Sequence, residues 1–83
     1  MTRSELIWKI DHGDDIMFDV DGKHFTIITW PEEGINIGEQ NVNSPGEYYQ
    51  SSEELVDGFM VNGKRLSSIA DDIVITNYTL VRE

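Results

Sequence analysis

The residues of this 83-residue chain with the chemistry for catalysis or metal binding are its Asp and Glu, two His and a handful of Ser; there is no Cys. The absence of Cys excludes a disulfide framework, a zinc knuckle, a thiol nucleophile and an iron–sulfur cluster. Asp11, His12, Asp14 and Asp15, with His24 further on, are donors of the kind that hold Zn or Mn. Asp11 and His12, however, are neighbours on an expected helix and point about 100° apart. The i, i+4 histidine pair of metalloproteases is missing. Asp19-Val20-Asp21-Gly22 has the look of the middle of a calcium loop, but Met17 then falls at the first ligand position and Ile28 at the last.

Nucleophilic catalysis needs a Ser or Thr beside a His that an acid holds in place. Ser4, Ser44, Ser51, Ser52, Ser67 and Ser68 mostly stand at caps or turns, and no Gly-x-Ser-x-Gly elbow is present. Paired carboxylates for glycoside hydrolysis lack a sugar cleft. Gly34 and Gly38 are four apart, so neither a dinucleotide fingerprint nor a P-loop exists. Asn77-Tyr78-Thr79 is a formal glycosylation sequon and carries no weight without a signal peptide. The expectation is a protein with no catalytic residue, no metal and no cofactor.

The aromatic residues leave more to explain. Trp8, Trp30, Tyr48 and Tyr49 exceed what a small core face requires, and Glu32, Glu33 and Glu47 adjoin three of them. Aromatics rimmed by charge are the ordinary composition of a binding surface. Trp30, Glu32, Glu33, Glu47, Tyr48 and Tyr49 are therefore the candidate partner-binding residues. The competing explanation is that these rings cover the second sheet face or the long loop.

Charge narrows the choice of partner. Sixteen Asp and Glu against six Lys and Arg give a formal net charge of -10 at pH 7, with pI ≈ 4.3. Apart from Lys64-Arg65 the basic residues are scattered, whereas acidic pairs recur at Asp14-Asp15, Glu32-Glu33, Glu53-Glu54 and Asp71-Asp72. Such a surface repels phosphate backbones and anionic membranes and attracts basic proteins. Hydrophobic content of 39% is enough for one core, so the chain is neither a disordered acidic tail nor more than one domain, residues 1–83. No uninterrupted apolar run exceeds three residues, as in Ile73-Val74-Ile75, which argues against a membrane span or a signal-peptide core and for a cytoplasmic protein.

The elements that must position these residues follow from local pattern. Thr2-Arg3-Ser4-Glu5 is a capping box; Leu6, Ile7 and Ile10 share one helical face, and Gly13 supplies a left-handed stop, giving a helix over 3–12. Trp8 points away from that stripe. Ile16–Val20 and Lys23–Trp30 flank Asp21-Gly22, the signature of a type I′ hairpin. A two-residue loop sets Val20 against Lys23, Phe18 against Phe25 and Ile16 against Ile27, with Asp19 opposite His24 on the other face. Pro31–Gly34 is a turn and Ile35-Asn36-Ile37 a third strand; residues 38–50 are loop, within which 47–50 extend briefly as a fourth. Ser51 and Glu54 form a second capping box ahead of a helix that buries Leu55, Val56 and Phe59. Val61–Lys64 makes a turn, Ser67–Asp72 a short helical stretch burying Ile69, and Ile73–Leu80 the last strand. The fold class is α+β: a small antiparallel sheet of three to five strands built on a central Asp-Gly hairpin, helices on one face, order α-β-β-β-α-α-β.

Much of the chain resembles a family of small acidic bacterial proteins of unassigned activity, often met near mobile genetic elements. The resemblance runs through Glu5-Leu6-Ile7 with Ile10, Gly22-Lys23 and Ser52-Glu53-Glu54-Leu55. It is clearest in Phe59-Met60-Val61-Asn62-Gly63-Lys64-Arg65-Leu66 and the Ile69, Asp72, Ile73 and Ile75 that follow. These are apolar anchors, turn residues and caps, so the resemblance implies an architecture and a bacterial origin and no catalytic motif.

Taken together, the sequence points to a non-enzymatic interaction module or inhibitor, immunity-like or phage-encoded, that binds a basic partner protein. That partner includes the case of a nucleic-acid-binding protein whose phosphate ligand the carboxylates imitate. The alternative is an accessory domain that forms a homodimer through the second sheet face at Met17, Ile28 and Trp30.

Overall fold

The Thr2 capping box starts the chain. In the computed structural model, which describes residues 1–80, the Thr2 hydroxyl accepts the Glu5 amide at 3.2 Å and the Glu5 carboxylate accepts the Thr2 amide at 3.1 Å. Helix α1 (Arg3–His12) buries Leu6 and Ile10. Trp8, off that stripe, is 53% exposed and stacks on His12 with ring centroids 4.2 Å apart.

Gly13 ends α1, but not as the left-handed stop expected. Its φ of -95° and ψ of 147° are extended, and it is the first residue of the next strand. The glycine is required by proximity instead. A Cβ there would lie 2.7 Å from the Lys9 carbonyl oxygen and 2.9 Å from both Ile16 Cδ1 and Tyr78 Cε2. The helix passes directly into the sheet, and a side chain at the corner has no room.

Strands β1 (Gly13–Val20) and β2 (Lys23–Trp30) pair in the expected register: Val20 opposite Lys23, Phe18 opposite Phe25, Ile16 opposite Ile27. Asp21 (φ 54°) and Gly22 (φ 78°) both take positive φ, as a type I′ turn demands. The His24 imidazole is hydrogen-bonded to the Asp19 carboxylate across the pair, as their opposition implies.

The long loop is shorter than expected. Strand β3 (Gly34–Glu39) continues through Gly38 and Glu39, which still find Thr26 and Phe25 opposite them on the eight-residue β2. Strand β4 (Glu47–Tyr49) then pairs with Ile37–Ile35, leaving only residues 40–46 as loop. The second capping box is half formed. Ser51 accepts the Glu54 amide at 3.1 Å ahead of helix α2 (Ser52–Gly58), but the Glu54 carboxylate accepts the amide of Gln50, at 3.3 Å, instead of that of Ser51. The chain enters α2 straight from β4, and the Gln50 amide is the one left turned toward Glu54.

The turn expected at 61–64 is the centre of a small hairpin, β5 (Met60–Val61) and β6 (Lys64–Arg65), closed by Asn62 (φ 51°) and Gly63 (φ 81°). Asn62 Nδ2 donates to Asp21 Oδ2 at 2.8 Å, tying this turn to that of the first hairpin. A 3₁₀ segment (Leu66–Asp72) buries Leu66, Ile69 and Ala70, and the last strand, β7 (Val74–Leu80), returns to pair with β1.

The main sheet is antiparallel with order β4-β3-β2-β1-β7. Because side chains alternate between faces, Ile16, Phe18, Phe25, Ile27, Ile35 and Ile37 share one face, where they pack against Leu6, Ile10, Leu55, Val56, Leu66 and Ile69 from the helical elements. This is the α+β layering the sequence implies. Among the described residues the opposite face carries no helix. Met17 and Ile28 are half-buried there, and Trp30, Tyr48 and Val74 are exposed. Among the described residues, no helix is long and apolar enough to cross a membrane.

Candidate functional site

The six candidate residues fall in three places. Trp30 closes β2 on the uncovered face, 45% exposed, and Glu32 and Glu33 follow it in the exposed β2–β3 turn. Tyr48 also opens onto the uncovered face, opposite Asn36, and is 50% exposed. Glu47 and Tyr49 alternate to the helix side. There the Tyr49 hydroxyl donates to Glu47 Oε1 at 2.8 Å, and its ring lies 3.0 Å from where a Cβ on Gly58 would stand. Burial, helped by the hydrogen bond to and charge of Glu47, pushes the Tyr49 phenol up to about 12. The sheet thus separates Tyr48 from its neighbours, and Glu47 and Tyr49 engage each other.

Trp30 and Glu32 do belong to a larger feature. They form one wall of a groove of about 460 Å³ whose other walls come from the end of α1 (Asp11), from Gln50 after β4, and from the start of α2 (Ser52, Glu53). Two local features shape it. Gly34, at φ 101°, lets the β4 backbone approach so closely that a Cβ would lie 2.5 Å from the Tyr49 carbonyl oxygen. Ser52, buried in the first turn of α2, donates its hydroxyl to Asp11 Oδ1 at 2.6 Å and fixes α2 against the end of α1.

The electrostatics of the groove are one-sided. Asp11, Glu32 and Glu53 are exposed carboxylates from three separate elements, and among the described residues no Lys, Arg or His lines the groove with them. Four of the six Lys and Arg are engaged elsewhere. Arg3 binds Asp57 through both oxygens, at 3.0 and 2.7 Å, which raises the guanidinium and lowers the carboxyl from their ordinary values. Lys23 sits 3.7 Å from Glu39, Lys64 3.9 Å from Asp21, and Lys9 lies over the Tyr78 ring at 4.9 Å. Carboxylates from three elements and an indole thus line one groove, a composition suited to a Lys or Arg side chain.

Asp11 and Glu53 escape sequence reasoning as binding residues. Asp11 reads as part of a metal-type cluster and Glu53 as one half of an acidic pair. The Ser52–Asp11 hydrogen bond, between residues 41 apart, links the ends that carry them, and no local pattern announces such a contact. The cluster around His12 disperses: its Nδ1 bonds the Trp8 carbonyl, Asp11 takes the Ser52 hydroxyl, and His24 belongs to Asp19. Among the described residues no group of three His, Cys, Asp or Glu side chains is placed to hold a metal ion.

The molecule is thus an α+β domain with a one-sided antiparallel sheet and an acidic, tryptophan-walled groove at one end. Compared with family models, with curated proteins and with solved structures, the chain matches none.

Proposed function

We propose that this protein is a non-enzymatic interaction module or inhibitor that binds a basic partner protein at the groove between Trp30, Glu32, Asp11 and Glu53. The observation that carries this reading is the groove's composition, three carboxylates and an exposed indole with no cation among the described residues that line it. Complementary charge of this kind chiefly accelerates association and selects partners, and a buried aromatic anchor holds them. An immunity-like or phage-encoded inhibitor of the bacterial cytoplasm has this size and charge, and needs no catalytic residue.

The test is a pull-down from a bacterial lysate treated with nuclease, at low and at high salt, repeated with the Glu32→Gln/Glu53→Gln variant. The expected result is one dominant basic protein that is retained at low salt, released at high salt and lost with the variant. Retention indifferent to both salt and the variant would overturn the groove as the binding site.

A further inference from the structure

The two edges of the main sheet are unlike. β4 is three residues long, and a short edge strand is a common protection against unwanted pairing. β7 is seven residues long and hydrogen-bonds only to β1 among the described strands, so one row of its backbone N–H and C=O groups has no strand beside it. Edges of this length ordinarily carry Lys, Pro or an inward charge. β7 has no Lys, Pro or inward charge and only a bulge to interrupt its edge, and it lies within Ile73–Val81, nine residues that form the longest stretch of the chain without Asp, Glu, Lys or Arg. Two irregularities are present in its pairing with β1. Asn77 opposes Met17 and Ile75 opposes Phe18, so Thr76 is an extra residue on β7; Thr79 opposes Asp15 and Leu80 opposes Gly13, so Asp14 is an extra residue on β1, and Asn77–Thr79 is the regular run.

The backbone pattern dictates an extended strand as the occupant, and the charge distribution indicates which strand. A basic partner gains nothing from an uncharged edge, whereas two copies that each carry -10 can approach only where charge is absent. The uncovered sheet face does not offer that. It presents Asp15 and Asp19 beside Met17 and Ile28, and Asp15 Oδ1 is already shielded from water with no hydrogen-bond partner among the described residues. Stacking two such faces would bury like charges against each other. We propose that a second copy of this chain adds to the edge of β7, strand to strand and antiparallel, joining two five-stranded sheets into one. This surface is separate from the groove, and the inference stands without it.

Sedimentation equilibrium over a concentration series, at low and high NaCl, tests the pairing. Screening weakens the repulsion between copies, so the dimer population should rise with salt, the opposite of what binding a basic partner does. The Val74→Lys/Asn77→Lys variant alters two exposed β7 positions and lowers the net negative charge. If overall repulsion alone governed association, this variant would dimerise better. Edge pairing sets like charges across the new strand pair and predicts association weakened by roughly tenfold. Circular dichroism confirms that the variant is folded, and amide hydrogen exchange in β7 should slow as the wild type is concentrated. A monomer mass at millimolar concentration and high salt, or a dimer that survives the two lysines, overturns the proposal.

Discussion

Single residues here are constrained by neighbours that the sequence does not show. Gly13 reads from sequence as a helix stop, and it is kept small by the Lys9 carbonyl and the Ile16 and Tyr78 side chains. Its backbone is ordinary extended chain, so Gly13→Ala tests crowding and not φ. Forcing atoms into a filled corner costs about 1–3 kcal/mol, and urea denaturation should show a loss of that size; an unchanged midpoint would mean that the corner relaxes freely. Tyr49 makes a second case. Its phenol, raised from 10.0 to about 12 chiefly by burial, keeps its proton in the folded state where the unfolded chain gives it up. Its contribution is whole below pH 10 and declines as pH climbs from there toward 12. Burial raises Tyr78 as well, so Tyr49→Phe should flatten part of the alkaline fall in stability and leave the remainder. Denaturation midpoints across that range measure it. Neither environment was legible in advance, because each depends on a contact between elements.

At the scale of elements, the patterns that can be read are those whose partners lie within a few residues. The Thr2–Glu5 box, the Asp21-Gly22 turn with its register and the Ser51 cap are closed by local hydrogen bonds, and all three form. Elements held by distant partners read poorly. β5 and β6 have two residues each and lean on the first hairpin through Asn62 and Asp21. β3 outlasts its apolar alternation because β2 continues beside it. The groove has the same origin, since α1 and α2 are fixed by the Ser52 hydroxyl on Asp11. Ser52→Ala removes that bond in a buried setting and should destabilise the fold by about 1–2 kcal/mol. It should also weaken partner binding more than that loss accounts for, because Asp11 and Glu53 are no longer held together. A variant that loses stability but binds with wild-type affinity would detach the Ser52 link from the site.

For the whole molecule, charge is the term that solution conditions control. Among the described residues Arg3, Lys23 and Lys64 each neutralise one acid and the amino terminus lies 3.8 Å from Asp71, so the net charge of -10 is carried on a body with a radius of gyration of 11.6 Å. At about 0.01 M salt the screening length is roughly 30 Å, so every carboxylate feels every other; at about 0.15 M it is roughly 8 Å, and only neighbours count. Folding concentrates these charges, and the repulsion is relieved when the chain expands. Stability should therefore rise with NaCl over this range, and the rise should be smaller in Glu32→Gln/Glu33→Gln, where one acidic pair is gone. Thermal melts at constant pH in NaCl, which acts mainly by screening, separate this from the strengthening of apolar burial that sulfate produces. A midpoint that falls with added NaCl would mean that the ion pairs, Arg3–Asp57 above all, contribute more than the excess acid costs. The same screening that steadies the monomer should strengthen association at the uncharged β7 edge and weaken binding of a cationic partner at the groove. The three effects read together therefore distinguish the fold, the edge and the groove.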